Sequence, residues 1–284
     1  MSTATIKRPG IEETRAALKR ATREYFEKHS CGEIYARGES LAQRLEAQRA
    51  ARYGFESYIF EFARFHEGAG RDVLEVGVGM GADHLEWAKA GPRTLTGIDL
   101  TPRAIGFTRE RLRMHGLSSR LMVTDAESLP FEDNSFDIVY SWGVLHATPD
   151  TPRAVNEVRR VLRPGGTARI MVYNTWCMVG YMLWLRYALF AGRPWRSLAD
   201  IYAHHLENPG THTYTLPEAR DLFSGFSRIL DGHTLLTSSD LLQGEVGLNH
   251  PGPVFSLAKT LWPRWLIKRA FRRHGLWLMI EAVK

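Results

Sequence analysis

The sequence predicts an α/β fold: a mostly parallel seven-stranded sheet with helices on both faces, a helical cap ahead of it, and insertions after strands five and six. Three observations carry this. From Arg71 onward, short apolar runs alternate with segments of helical period, the pattern of βαβ units. The first run, V-L-E-V, opens into glycines at alternate positions, Gly77, Gly79 and Gly81, before the helical pattern begins. That is the grammar of a strand, a tight turn and a helix N-terminus, where such sheets bind nucleotide-like cofactors. Two later strands then end in a carboxylate, Asp99 and Asp125, at the edge where open α/β sheets take ligands.

In chain order, residues 11–29 place Ala17, Leu18, Ala21, Tyr25 and Phe26 on one face of an amphipathic helix. Gly32 and Gly38 break it, and residues 40–65 resume the period through Leu41, Leu45, Tyr53, Tyr58, Ile59 and Phe62, interrupted at Gly54. Residues 1–67 are therefore expected to form the cap and 68–284 the sheet domain. Tyr53 and Tyr58 are candidates to reach a substrate, or else core aromatics. Strand one covers 71–76, and its helix stops at Gly91-Pro92. Strand two, 94–98, is followed by Thr101-Pro102, a cap and a first-turn proline. That helix ends at Gly116, and strands three and four follow over 120–124 and 136–141. A helix over 152–162 stops at R-P-G-G, and strand five covers 167–173. The aromatic stretch 175–215 is the first insertion, beginning with one or two apolar helices beside the carboxyl edge of the sheet. A short helix at 216–223, strand six near 226–236, a second insertion over 238–274 and a final strand at 275–283 complete the chain.

The 284 residues are long enough to bury a large core, and 44% hydrophobic with 24% charged is an ordinary globular composition. A net charge of +6 without a lysine or arginine block argues against nucleic acid as partner. Cys31 and Cys177 have neither metal-ligand nor C-x-x-C spacing, so no metal is expected and a reducing cytoplasm is the default location. Residues 1–10 lack the apolar core of a secretory signal. The uncharged run 175–185 falls short of the roughly 20 residues a membrane-spanning helix needs.

The glycine turn alone leaves two cofactors open. Gly77-x-Gly79-x-x-Ala82 satisfies the dinucleotide pattern of Rossmann-like folds, and Asp99 lies at the distance expected of its ribose acid, so an NAD-dependent oxidoreductase is one reading. The downstream segments separate the readings. E-V-G-V-G-M-G, G-I-D-L, D-A-E-S-L-P-F, F-D-I-V-Y-S-W-G-V-L-H and R-V-L-R-P-G-G occur in order on the expected elements. Together they resemble the motifs of class I S-adenosylmethionine-dependent methyltransferases, nearest to the ubiquinone and menaquinone biosynthesis subgroup, over residues 71–173.

That resemblance implies S-adenosylmethionine as cofactor and assigns roles by position. Glu75 would orient the methionine part through its ammonium, with Gly77, Gly79 and Gly81 forming the wall behind it. Asp99 would accept both ribose hydroxyls, Leu100 would pack on adenine, and Asp125 and Ala126 would hold the adenine edge. Ser141 and Trp142 would lie near the transferable methyl. A catalytically silent cofactor-binding protein on the same fold is a third reading.

The acceptor side is less constrained. Methyl transfer from a sulfonium is an in-line displacement that mainly requires positioning, with a base only where the acceptor loses a proton. His146 is the first candidate base, or a loop histidine without chemistry, and His204 and His205 follow. His212 and Tyr214 are candidates to line the substrate pocket; His250 and Glu245 belong to the second insertion without an assigned role. The aromatic insertion suggests an apolar or planar small-molecule acceptor, methylated on oxygen or nitrogen. Residues 246–280 contain no acid, and 259–273 interleave Lys259, Arg264, Lys268, Arg269, Arg272 and Arg273 with Trp262, Trp265, Leu266, Ile267 and Phe271. Such a segment suits contact with anionic lipid or a phosphorylated substrate, or a solvated helix face.

Overall fold

Parallel strands buried on both faces need apolar runs, and the computed structural model assembles them into one seven-stranded sheet. It describes residues 11–206, 208, 210–243, 259–260 and 262–284. The strands are β1 (Asp72–Val76), β2 (Thr94–Asp99), β3 (Arg120–Val123), β4 (Phe136–Trp142), β5 (Leu162–Tyr173), β6 (Arg228–Leu235) and β7 (Trp277–Val283). Their order is β3-β2-β1-β4-β5-β7-β6. The first five are parallel, and β7 inserts antiparallel between β5 and β6. Strand order reverses on either side of β1, so the carboxyl ends of β1 and β4 flank the crevice such sheets use for ligands.

The helices are α1 (Ile11–Lys28), α2 (Leu41–Phe55), α3 (Ile59–Ala63), α4 (Ala82–Lys89), α5 (Pro102–Met114), α6 (Thr151–Val161), α7 (Met178–Trp184), α8 (Leu198–His205), α9 (Leu216–Leu222) and α10 (Arg264–Ala270). Local signals set several starts. Ser40 and Gln43 form a reciprocal capping box on α2, Thr101 Oγ accepts from Ala104 N ahead of α5, and the Asp150 side chain accepts from Arg153 N ahead of α6. One core layer packs α6 and α9 under the sheet, with Val155, Val158 and Phe223 against Leu74, Val139 and Ile170. The other packs α3, α7 and α8 over it, with Ile59, Leu183 and Ile201 beside Trp87, Tyr140 and Met171.

Two boundaries differ from the sequence expectation for physical reasons. The break in the second helical segment falls at Glu56, which caps α2, while Gly54 stays helical with open space beside it. Strand five starts at Leu162 rather than 167. The R-P-G-G run stays in the sheet because Gly165 N donates to Lys284 O and Lys284 N donates to Gly166 O, at 2.9 and 3.0 Å. Within the second insertion, residues 244–258, which include Glu245 and His250, lie outside the described residues.

Candidate functional site

A cavity of about 380 Å³ opens along the carboxyl edge of the sheet. It runs from Asp125 and Ala126 after β3, past Asp99 and Leu100 at β2 and Glu75, Gly77, Gly79 and Gly81 at β1, to Trp142 at β4. It ends at Met171 and Tyr173 of β5 and Trp277 of β7. Sheet order thus lays the groups the sequence singled out along one trough, with an aromatic end beyond β4.

The glycine turn is built by its neighbours as much as by any ligand. All three glycines have positive φ, at 84, 51 and 77°, where other residues are strained. A Cβ on Gly77 would come within 2.1 Å of Val144 Cγ2, and one on Gly81 within 2.8 Å of Thr108 Oγ. Only at Gly79 does the space lie open. Close approach of protein to protein therefore dictates two of the three. Asp99 closes the turn: one carboxylate oxygen accepts from Gly79 N at 3.1 Å, the other from Thr101 N and Oγ, each at 2.9 Å. Burial raises its pKa against these donors.

Behind the turn lies a buried polar group built from β1, β4, α2 and α4. Glu75 meets His84 Nδ1 at 2.8 Å, and His84 Nε2 meets Ser119 Oγ at 2.8 Å. Gly97 leaves room for that imidazole, since a Cβ there would sit 2.6 Å from its Cε1. Burial drives His84 down to about 3, so the ring is neutral. Burial, reinforced by the charge of Asp83, pushes the Glu75 carboxyl well up. Asp83 accepts both Arg52 Nε at 2.8 Å and Nη2 at 2.5 Å, together with the hydroxyls of Tyr53 at 3.0 Å and Tyr140 at 2.7 Å. Although burial opposes it, Arg52 and these donors hold Asp83 below the usual carboxylate range. The guanidinium also lies 5.9 Å from the Trp142 ring centre.

At the aromatic end, Glu56 approaches Arg52 at 3.4 Å, with the Trp277 indole beside it. Burial, with Arg52 and Trp277 opposing it, raises its pKa to about 6. At the other end, Lys19 of α1 binds Asp125 at 2.5 Å and Glu127 at 2.6 Å, placing the cap over the far wall.

Several expected site residues lie elsewhere. Ser141 is buried and donates to Val76 O at 3.0 Å, stitching β4 to the end of β1. Tyr53 is taken up by Asp83, and Tyr58 stands behind Trp142, bonded to Trp277 Nε1 at 2.8 Å. Neither lines the cavity. His146 is fully buried on the ring of Tyr173, 3.8 Å between centres. Neither ring nitrogen has a hydrogen-bond partner among the described residues, and burial lowers its pKa to about 3. It does not line the cavity. Substituting His146→Phe is accordingly expected to leave turnover within about twofold and to keep or raise stability, by about 1 kcal/mol, because an unsatisfied buried polar group disappears. Thermal melting and a rate assay check this. His204 faces solvent on α8, bonded to its own helix at Asp200 O. His205 stacks on Tyr187 at 3.9 Å. His212 bonds through its backbone N to His146 O at 2.8 Å, and Tyr214 packs against the lower core. None of the four lines the cavity.

Arg52, Glu56, Lys19 and Trp277 are among the cavity residues that the sequence reading did not single out. Arg52 four residues before Glu56, an opposite-charge pair one helical turn apart, was the available signal.

The family model for a methyltransferase domain matches residues 74–170, the part of the chain that carries the glycine turn and strands β2 to β4. The chain is 45% identical over 100 residues to a probable phthiotriol/phenolphthiotriol dimycocerosates methyltransferase 2 of Mycobacterium ulcerans. That match covers 34% of this chain and 38% of the relative's length. In fold it resembles an S-adenosylmethionine-dependent methyltransferase from Mesorhizobium loti, with TM-score 0.51 and 18% identity, covering 77% of this chain and 93% of that one. It also resembles a methyltransferase described as a possible histamine N-methyltransferase from Thermotoga maritima, with TM-score 0.52 and 16% identity, covering 93% and 99%. No helix among the described residues is long and apolar enough to cross a membrane.

Proposed function

We propose that the protein transfers a methyl group from S-adenosylmethionine to an apolar or aromatic small molecule, on oxygen or nitrogen. The observation that carries this is the single trough in which two strand-end carboxylates, the glycine turn and an aromatic end follow one another in sheet order. Asp125 and Ala126 take the adenine, Asp99 the ribose, and Glu75 with Arg52 the ammonium and carboxylate of the amino-acid part. Trp142 stands at the methyl, and Glu56, Tyr173 and Trp277 face the acceptor. Glu56 replaces the histidines as acid–base candidate, because it lines the cavity and they do not.

Calorimetry with S-adenosylhomocysteine tests the cofactor. Binding is expected to release protons: an incoming ammonium lowers the raised pKa of Glu75, so affinity rises with pH through that group's titration. Titrations in buffers of different ionisation enthalpy measure the released protons. Absence of binding, with NADH quenching tryptophan fluorescence instead, would return the glycine turn to the oxidoreductase reading. Labelled S-adenosylmethionine incubated with a cell extract, followed by mass spectrometry of the product, identifies the acceptor; binding without any labelled product would mark a silent protein.

A further inference from the structure

Two acid-free segments meet beside the aromatic end of the trough. Residues 174–199 contain no aspartate or glutamate, and neither do 246–280. They abut through Met178 N donating to His274 O at 2.9 Å, the Tyr181 hydroxyl and His274 Nδ1 at 2.7 Å, and the packing of Met178 with Ile267. Each leaves large apolar side chains in water. In the first, Phe190 is 80% exposed and Trp195 77%, on the turn between α7 and α8. In the second, α10 buries Ile267 and exposes Trp265 at 72%, with Leu266 beside it. Soluble surfaces do carry single exposed aromatics, but tryptophan and phenylalanine grouped with arginine and lysine, without acids, is the composition of a membrane-interface element.

The charges fit the same partner. Arg196 is engaged by Asp200, whereas Arg186 and Arg193 lie exposed beside Phe190 and Trp195 in sequence, and Lys268, Arg269, Arg272 and Arg273 are exposed around Trp265. A neutral apolar partner would leave these cations without complementary charge. An anionic headgroup layer matches them while its acyl boundary takes the aromatic rings. We infer that the turn between α7 and α8, together with α10, docks the protein onto anionic lipid bilayers. The segment containing the turn follows directly from β5, whose Tyr173 lines the trough, so docking sets the acceptor end of the site near the bilayer.

The test is flotation of the full chain with vesicles of phosphatidylcholine alone and of phosphatidylcholine mixed with phosphatidylglycerol, and it requires no methyl-transfer assay. The expected result is binding to the mixed vesicles only, weakening as salt screens the basic side chains. The double substitution Phe190→Ser with Trp195→Ser, and separately Trp265→Ser, should each reduce partition more than about tenfold, since each withdraws buried apolar area. These positions are exposed, so circular dichroism and S-adenosylhomocysteine affinity should stay unchanged. Three outcomes overturn the inference: no binding to mixed vesicles, binding that the aromatic substitutions leave intact, or a lipid-free dimer that the same substitutions dissolve. The last would make a second copy of this chain the occupant.

Discussion

Asp83→Ala is expected to destabilise the fold by about 3 kcal/mol and to abolish measurable S-adenosylhomocysteine binding, as read by chemical denaturation and calorimetry. Asp83 is the common acceptor for Arg52, Tyr53 and Tyr140, and all its oxygens are buried. Removing one partner of a buried ion pair typically costs about 3–5 kcal/mol, because the other charge is stranded. The lower end applies here because Glu56, at 3.4 Å from Arg52, takes over part of the pairing. That same shift alters the cavity: a guanidinium drawn toward Glu56 leaves the position where Arg52 meets the amino-acid part. Asp83→Asn keeps the shape and one acceptor but leaves Arg52 without its counter-charge and turns an amide donor toward one of its N–H groups, so it should recover only a small part of the stability. An unchanged midpoint in Asp83→Ala would show the pair to be energetically idle.

The network around Asp83 marks the limit of what the sequence could reveal. The turn residues were legible because their chemistry is local: alternate glycines after an apolar run, and carboxylates at strand ends, sit where backbone geometry alone puts them. Asp99 is an instance, bonded to Gly79 and Thr101 within its own βα unit and the adjacent turn. Arg52 and Glu56 were not, because their position depends on how α2 rotates against α4, a contact about thirty residues away in the chain. Trp277 is farther still, joining Tyr58 across the whole domain. The histidines lie away from the cavity for the converse reason. Sequence spacing put His146 soon after β4, but Tyr173 covers it, and a fully desolvated imidazole without a partner stays neutral. Titratability was visible in the residue type; burial was not.

Glu56→Gln is expected to lower turnover of the acceptor by about 10²- to 10⁴-fold, the range a general base contributes, with cofactor affinity nearly unchanged. The wild-type rate should rise with pH through about 6, where the buried carboxyl loses its proton. This limb should vanish from the variant. Stability gives an independent readout with the opposite slope. Because the folded pKa lies above the unfolded value of 4.5, the native state binds more protons in that interval. Stability should therefore fall by about 2 kcal/mol as pH rises from below 4.5 to above 6, and the variant should lack this slope. The two measurements separate roles. A slope in stability without a slope in rate would leave Glu56 a buried neighbour of Arg52 and Trp277, while both together would make it the group that receives the acceptor's proton.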